Sequence, residues 1–180
     1  VTATDEDGAT STAKTSIAIS IAGLQVDPVD PTQMALFVGG STGADRIKIV
    51  DDDDNPETLR VRVNERDMGG FRFRGTFGPP LASRIIVYGQ AGDDDIQIVE
   101  SIRLPAELHG DAGDDKIKGG GGDDILVGGD GDDMLVGGGG RDLLIGGIGG
   151  DRLVGNSDDD LLVAGRTSYD ANDAALRDIM

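Results

Sequence analysis

Between Gly110 and Val163 a branched aliphatic returns at every ninth residue: Ile117, Leu126, Leu135, Leu144, Leu153 and Leu162. Each sits at the centre of a three-residue run (KIK, ILV, MLV, LLI, RLV, LLV), and six-residue stretches rich in glycine and aspartate separate the runs. Side chains alternate in direction along a strand, so the central aliphatic points one way and its two neighbours the other. The pattern predicts six short strands joined by six-residue turns, with two nine-residue units to a coil. Alternate strands then fall into two parallel sheets around a thin interior.

The two outer faces differ. Odd units turn out Lys116, Lys118, Met134, Val136, Arg152 and Val154, a mixed set; even units turn out Ile125, Val127, Leu143, Ile145, Leu161 and Val163, all apolar. An apolar patch of this extent is larger than a lone domain leaves bare, so a cover is expected. The segment 164–180 supplies one: Asp170 is placed to cap a short helix from Ala171, with Ala171, Ala175 and Ile179 on one side and Leu176 and Met180 beside them. A second copy or an upstream domain is the other candidate cover.

Upstream the periodicity is looser. Residues 35–109 carry strand-like runs (ALFV, DRIKIV, TLRVRV, FRFR, RIIVY, DIQIV) and two isolated nonapeptides, Gly40–Lys48 and Gly89–Gln97. These keep Asp45 with Ile47, and Asp94 with Ile96, in phase, but intervals of 49 and 21 residues separate them from each other and from the regular tract. We read this stretch as an irregular β-solenoid leading into the regular one, the alternative being a small antiparallel meander beside it. Residues 25–34, with Pro28 and Pro31, read as a linker. Residues 1–24 read as a hairpin turning at Asp5-Glu6-Asp7-Gly8. The predicted class is therefore all-β, with one short C-terminal helix.

The polar positions of the regular tract repeat as strictly as the apolar ones. The sixth residue of each unit is Asp115, Asp124, Asp133, Asp142, Asp151 and Asp160. Glycines recur at the first, second and fourth places: Gly110 and Gly113; Gly119, Gly120 and Gly122; Gly128, Gly129 and Gly131; Gly137, Gly138 and Gly140; Gly146, Gly147 and Gly149. A flexible glycine-rich linker has no reason to hold this phase. The tract resembles the haemolysin-type (RTX) calcium-binding repeat, G-G-x-G-x-D-x-U-x. That resemblance implies a right-handed parallel β-roll with calcium between stacked turns, bound by sixth-position aspartates and glycine-turn carbonyls. The implied pairs are Asp115/Asp133, Asp133/Asp151, Asp124/Asp142 and Asp142/Asp160, at least four ions, and Asp94 is a candidate start of one column despite its offset. Ca²⁺ suits such a set because it takes six to eight oxygen ligands. Stacked carboxylates about 4.8 Å apart repel without it, so the tract is expected to fold only with calcium. Departures fall at Asp111, Arg141 and Gly150, and the sixth unit keeps only its first glycine, with Asn156, Ser157 and Asp158 following. Residues 1–21 resemble the closing hairpin of PKD-type Ig-like domains. Residues after Ala164 resemble the tail that follows such repeats in large secreted bacterial proteins.

Composition narrows the function. A net charge of −18 argues against a nucleic-acid partner. No apolar run is long enough for a membrane span, and there is no cysteine. The chain begins at Val1 in mid-pattern and is read as a piece of a longer polypeptide. His109 is the only histidine, and no H-E-x-x-H, nucleophile elbow, P-loop or dinucleotide fingerprint accompanies it; it reads as structural. Arg60, Arg62, Arg72 and Arg74 read as the solvated side of half-buried strands, and Asp51–Asp54 as a solvated turn. No catalytic residue is expected. The expectation is a non-catalytic, extracellular calcium-binding module, with calcium and upstream domains of the same polypeptide as partners. The alternatives are an accessory roll of a secreted enzyme, or an adhesin module with a cell-surface or glycan ligand.

Overall fold

A computed structural model of the chain describes residues 2–4, 10–12, 21–73, 81–166 and 176. The protein is all-β. Strands β1 (Thr2–Thr4) and β2 (Thr10–Thr12) pair antiparallel, Thr2 opposite Thr12, as the hairpin signal predicts.

The next seven strands are β3 (Ile21–Val26), β4 (Met34–Gly39), β5 (Arg46–Asp52), β6 (Asn55–Val63), β7 (Arg66–Arg72), β8 (Ala82–Ala91) and β9 (Asp95–Ile98). The regular tract follows with β10 (Ala106–Ala112), β11 (Lys116–Lys118), β12 (Ile125–Asp130), β13 (Met134–Gly138), β14 (Leu143–Ile148), β15 (Arg152–Asn156) and β16 (Leu161–Val163). Two seven-stranded sheets result, ordered β16-β14-β12-β10-β8-β4-β3 and β15-β13-β11-β9-β5-β6-β7. From β4 and β5 onward every solenoid pairing is parallel.

The interior is one aliphatic deep. Val38, Val87, Leu108, Leu126, Leu144 and Leu162 stand in register across one sheet; Ile47, Ile96, Ile117, Leu135 and Leu153 do so across the other. All are buried except at the C-terminal end, where Leu153 is half-covered and Leu162 is 44% exposed. Unlike the predicted three-residue strands, β12 and β14 run six residues. They continue through the glycine pair of the following unit, so the turns are tighter than the repeat suggested.

Both readings of 35–109 hold for different parts of it. β4, β5, β8 and β9 are solenoid strands, while β6 and β7 form an antiparallel extension of one sheet and β3 an antiparallel edge on the other. Ile21–Val26, divided above between hairpin and linker, is one strand paired along its length with β4. The three surplus residues between the Asp94 and Asp115 units lie in the corner Val99–Pro105. There Ile102 is fully buried, its N–H donating to the Val99 carbonyl.

On the outer face of the even units, Ile125, Val127, Leu143 and Ile145 are at most 6% exposed and share a cluster with Leu176, itself fully buried. Leu161, on the last strand, stays 48% exposed. The helix expected from Ala171 lies outside the described residues apart from Leu176. Among the described residues no helix is long and apolar enough to cross a membrane.

Candidate metal centre

The corners of the coil are built by two distinct demands on the backbone. At the second place of a unit φ is positive for Gly129 (125°), Gly138 (117°) and Gly147 (111°), and equally for Gln90 (84°), Asp111 (74°) and Asn156 (85°), where the sequence departs from glycine. At the fourth place the same holds for Gly92, Gly113, Gly131, Gly140 and Gly149, and for Asp158. Glycine adopts these angles without steric cost, and the substituted corners accept it. Gly120 and Gly122 are different: neither has positive φ, and their turn packs on the irregular corner, the Gly121 N–H donating to the Ile102 carbonyl.

First-place glycines are required for space. A Cβ on Gly110 would lie 2.7 Å from the Gly128 carbonyl oxygen and collide with Asp115 Oδ2; on Gly128 it would meet Asp133 Oδ2 and the Gly146 carbonyl. The same convergence occurs at Gly89 (Asp94 Oδ2, Gly110 carbonyl), Gly119 (Asp124 Oδ2, Gly137 carbonyl) and Gly137 (Asp142 Oδ2, Gly155 carbonyl). Each turn thus aims a carboxylate oxygen and the carbonyl of the next coil at one bare α-carbon.

The aspartates are tethered through their other oxygen. Backbone N–H groups donate to the Oδ1 of the next coil: Asp45 to Asp94 at 2.7 Å, Asp94 to Asp115 at 2.8 Å, Asp115 to Asp133 at 2.9 Å and Asp133 to Asp151 at 3.1 Å. The other edge runs from Ala106 to Asp124 at 2.7 Å, Asp124 to Asp142 at 3.0 Å and Asp142 to Asp160 at 3.0 Å. The structure therefore brings the sequence-identified aspartates into two columns, with Asp94 in line despite its offset and Asp45 beneath it. Ala106 takes the aspartate's place below Asp124.

What remains is a row of buried oxygens. Oδ2 of Asp94, Asp115, Asp133, Asp142 and Asp151 has no hydrogen-bond partner among the described residues. Burial, reinforced by neighbouring carboxylates and partly offset by the Oδ1 hydrogen bonds, pushes Asp94 and Asp133 up to about 6 and Asp115 and Asp142 to about 7. Asp124 rises to about 8, again chiefly through burial, although its Oδ2 accepts the Gly120 N–H at 2.8 Å. Buried carboxylate oxygens without partners cost free energy unless a proton or a cation shares them. The donor set fits a hard cation: carboxylate and carbonyl oxygens only, supplied by stacked turns. No three His, Cys, Asp or Glu side chains converge among the described residues, so backbone carbonyls would supply most of an ion's ligands.

A family model described as the RTX calcium-binding nonapeptide repeat matches residues 107–135 and 136–166. Residues 107–166 are RTX calcium-binding repeats. No curated protein and no solved structure matches the chain. The RTX match begins at β10, so the Asp94 turn, which carries the same orphaned oxygen, lies outside it.

Around the two columns stands a second, exposed set of contacts. Asp93 Oδ1 accepts the Asp114 N–H, Asp114 Oδ1 the Asp132 N–H and Asp132 Oδ1 the Gly150 N–H, at 3.0, 2.8 and 2.7 Å. Arg141, a departure at the fifth place, donates both its N–H and its guanidinium to Asp123 at 3.0 Å. His109 is buried, stacks on Tyr88 with ring centroids 4.8 Å apart and approaches Glu107 at 3.2 Å. Arg60 pairs with Asp52 and Asp67, and Arg72 with Glu57; Arg74 lies outside the described residues. The sequence reading missed Ser41 and Asn64, whose side chains hold Asp45. Phase marked Asp45, but nothing in it marked those partners.

Proposed function

We propose that the protein is a non-catalytic calcium-dependent folding module of a larger secreted or surface polypeptide, its roll becoming ordered where calcium is plentiful. The observation that carries this is the set of five buried Oδ2 atoms without partners. Four of them stand where a next coil offers its own aspartate, which supports the reading of ion sites at Asp94/Asp115, Asp115/Asp133, Asp133/Asp151 and Asp142/Asp160. The Asp124/Asp142 turn is a fifth, weaker place, because Asp124 Oδ2 already holds the Gly120 N–H. When bound, calcium supplies the positive charge that the stacked carboxylates lack. The chain's own part is to hold one oxygen of each aspartate on a neighbouring N–H and to point the other at the gap. A ligand set dominated by carbonyls suits the affinity of extracellular calcium modules, about 10⁻⁴–10⁻³ M.

Circular dichroism and calorimetry on the full chain test this. Millimolar calcium added after chelation should raise β content and bind with a stoichiometry of four to five. An unchanged spectrum and no heat of binding would overturn the reading.

A further inference from the structure

Gly40–Lys48 has the form of a repeat unit, and its aspartate stands at the foot of a column, yet its carboxylate is already full. Asp45 Oδ2 accepts both the Ser41 N–H and the Ser41 hydroxyl, the latter at 2.8 Å, while Oδ1 accepts the Asn64 side-chain amide. Asn64 belongs to the β6–β7 turn, where Asn64 and Glu65 both have positive φ. It is pinned from both sides: its Oδ1 accepts the Arg46 N–H at 2.8 Å and its own N–H donates to the Arg46 carbonyl at 2.9 Å. The corner itself is built differently from those above it. Neither Ser41 nor Gly43 has positive φ, whereas Gln90 and Gly92, the corresponding residues one coil up, both do. Asp94, directly above and tethered to the Asp45 N–H, has the orphaned oxygen that Asp45 lacks.

We propose that this turn is a metal-free terminator of the ion column: the Ser41 N–H and hydroxyl fill at Asp45 the place that a cation takes higher up. The coils from β3 to β9 are then a calcium-independent seed on which the roll is assembled.

This proposal rests on the calcium reading of the upper turns and adds where the ions stop. Apart from Asp94 Oδ2, which faces the first ion gap, the remainder of the seed is also self-sufficient. Its interior is deeper than the roll's, because the antiparallel β6 adds Leu59, Val61 and Val63 to the row begun by Ile47 and Ile49, all at most 2% exposed. At the N-terminal end of the parallel stack the edge of each sheet is covered by antiparallel strands, β3 on one and β6–β7 on the other. Arg84, 2% exposed, is held by Asp27 from the β3–β4 turn and by Glu107 from β10, which locks the seed to the first strand of the roll. Every one of these contacts is made by protein groups alone.

Hydrogen exchange on the full chain, in chelator and in calcium, reads the two halves separately. In chelator, peptides from 34–63 and 82–98 should exchange about a hundredfold or more slower than peptides from 110–163; in calcium both should be slow. Fast exchange everywhere in chelator overturns the seed while leaving the calcium reading intact. Slow exchange everywhere, with or without calcium, overturns the calcium reading itself. Counting bound calcium by elemental analysis gives the second test: Asp45→Asn should bind as many ions as the parent and Asp94→Asn one fewer. Loss of an ion in Asp45→Asn overturns the terminator. Should that variant fail to fold, Ser41→Ala serves instead, with an unchanged ion count expected and a changed one overturning the proposal.

Discussion

A carboxylate buried under a glycine corner must share its charge, and the pH dependence of the roll follows from which partner it takes. Five of the columnar aspartates, Asp94, Asp115, Asp124, Asp133 and Asp142, have folded-state values of about 6 to 8, above the roughly 3.9 of an unfolded chain. A raised value means that the metal-free folded form is favoured below the unfolded pKa and loses that contribution as pH rises through 6 to 8. Near pH 7 the metal-free roll is unfolded and its carboxylates are ionised, so lowering the pH from 8 towards 4 should raise the β content of the chelated chain, protons taking the place of calcium. Circular dichroism in chelator across that range checks this, and a spectrum that stays unchanged down to pH 4 would contradict it. Position within a column sets a second expectation. Asp133 borders two ion gaps and Asp94 one, so Asp133→Asn should bind two fewer ions and Asp94→Asn one fewer, by elemental analysis. The glycines divide on equally local grounds. Gly131, with φ of 142° and a Cβ that would strike the Gly113 carbonyl, should cost more than about 1 kcal/mol as alanine. Gly139, whose Cβ would have no neighbour closer than 3.7 Å, should be nearly neutral. Melting of the calcium-loaded proteins separates the pair by roughly 2–4 °C or more.

Among the elements, β12 and β14 show how far a nine-residue phase can be read. Strict recurrence of Asp and aliphatic was enough to place each sixth and eighth residue, to pair strands eighteen apart and to expect a covered outer face. What phase cannot express is an insertion that leaves the coil in register. Asp94 stands in the column because its three surplus residues are absorbed at the opposite corner around Ile102. Asp45 stands there because β6 and β7 depart sideways and the chain returns to the same sheet. Chain length between repeats obscures both, since only the register of the parallel strands makes them neighbours. Nor does a sequence motif distinguish Ser41 as a hydroxyl that fills a gap from a serine on a loop. The covered face is itself open to test. Leu176 is fully buried beside Leu143 and Ile145, so Leu176→Ala should destabilise the calcium-loaded roll by about 2–5 kcal/mol. Leu143→Lys, which puts a charge under the same contact, should cost solubility or folding outright. A wild-type melting curve from Leu176→Ala would mean that the face is covered without it.

For the molecule as a whole, two explanations of calcium-driven order compete: relief of repulsion across an acidic chain, and coordination of specific oxygens. Five divalent ions would cancel ten of the eighteen net negative charges, so the first is not trivial. Sodium chloride tells them apart. At 1 M the Debye length is about 3 Å, shorter than the roughly 4.8 Å between stacked turns, so repulsion between neighbouring carboxylates is largely screened. Screening leaves the five Oδ2 atoms without a partner, because a diffuse ion atmosphere does not enter a buried gap lined by carbonyls. Magnesium is the complementary control, since it demands a tight octahedron and gives up water reluctantly. Small-angle scattering should therefore show an expanded chain in chelator, little compaction on adding 1 M sodium chloride or millimolar magnesium, and full compaction in millimolar calcium. If salt alone compacts the roll to its calcium-loaded dimensions, the columns are sites of repulsion and not of coordination, and the orphaned oxygens must be satisfied by protons instead.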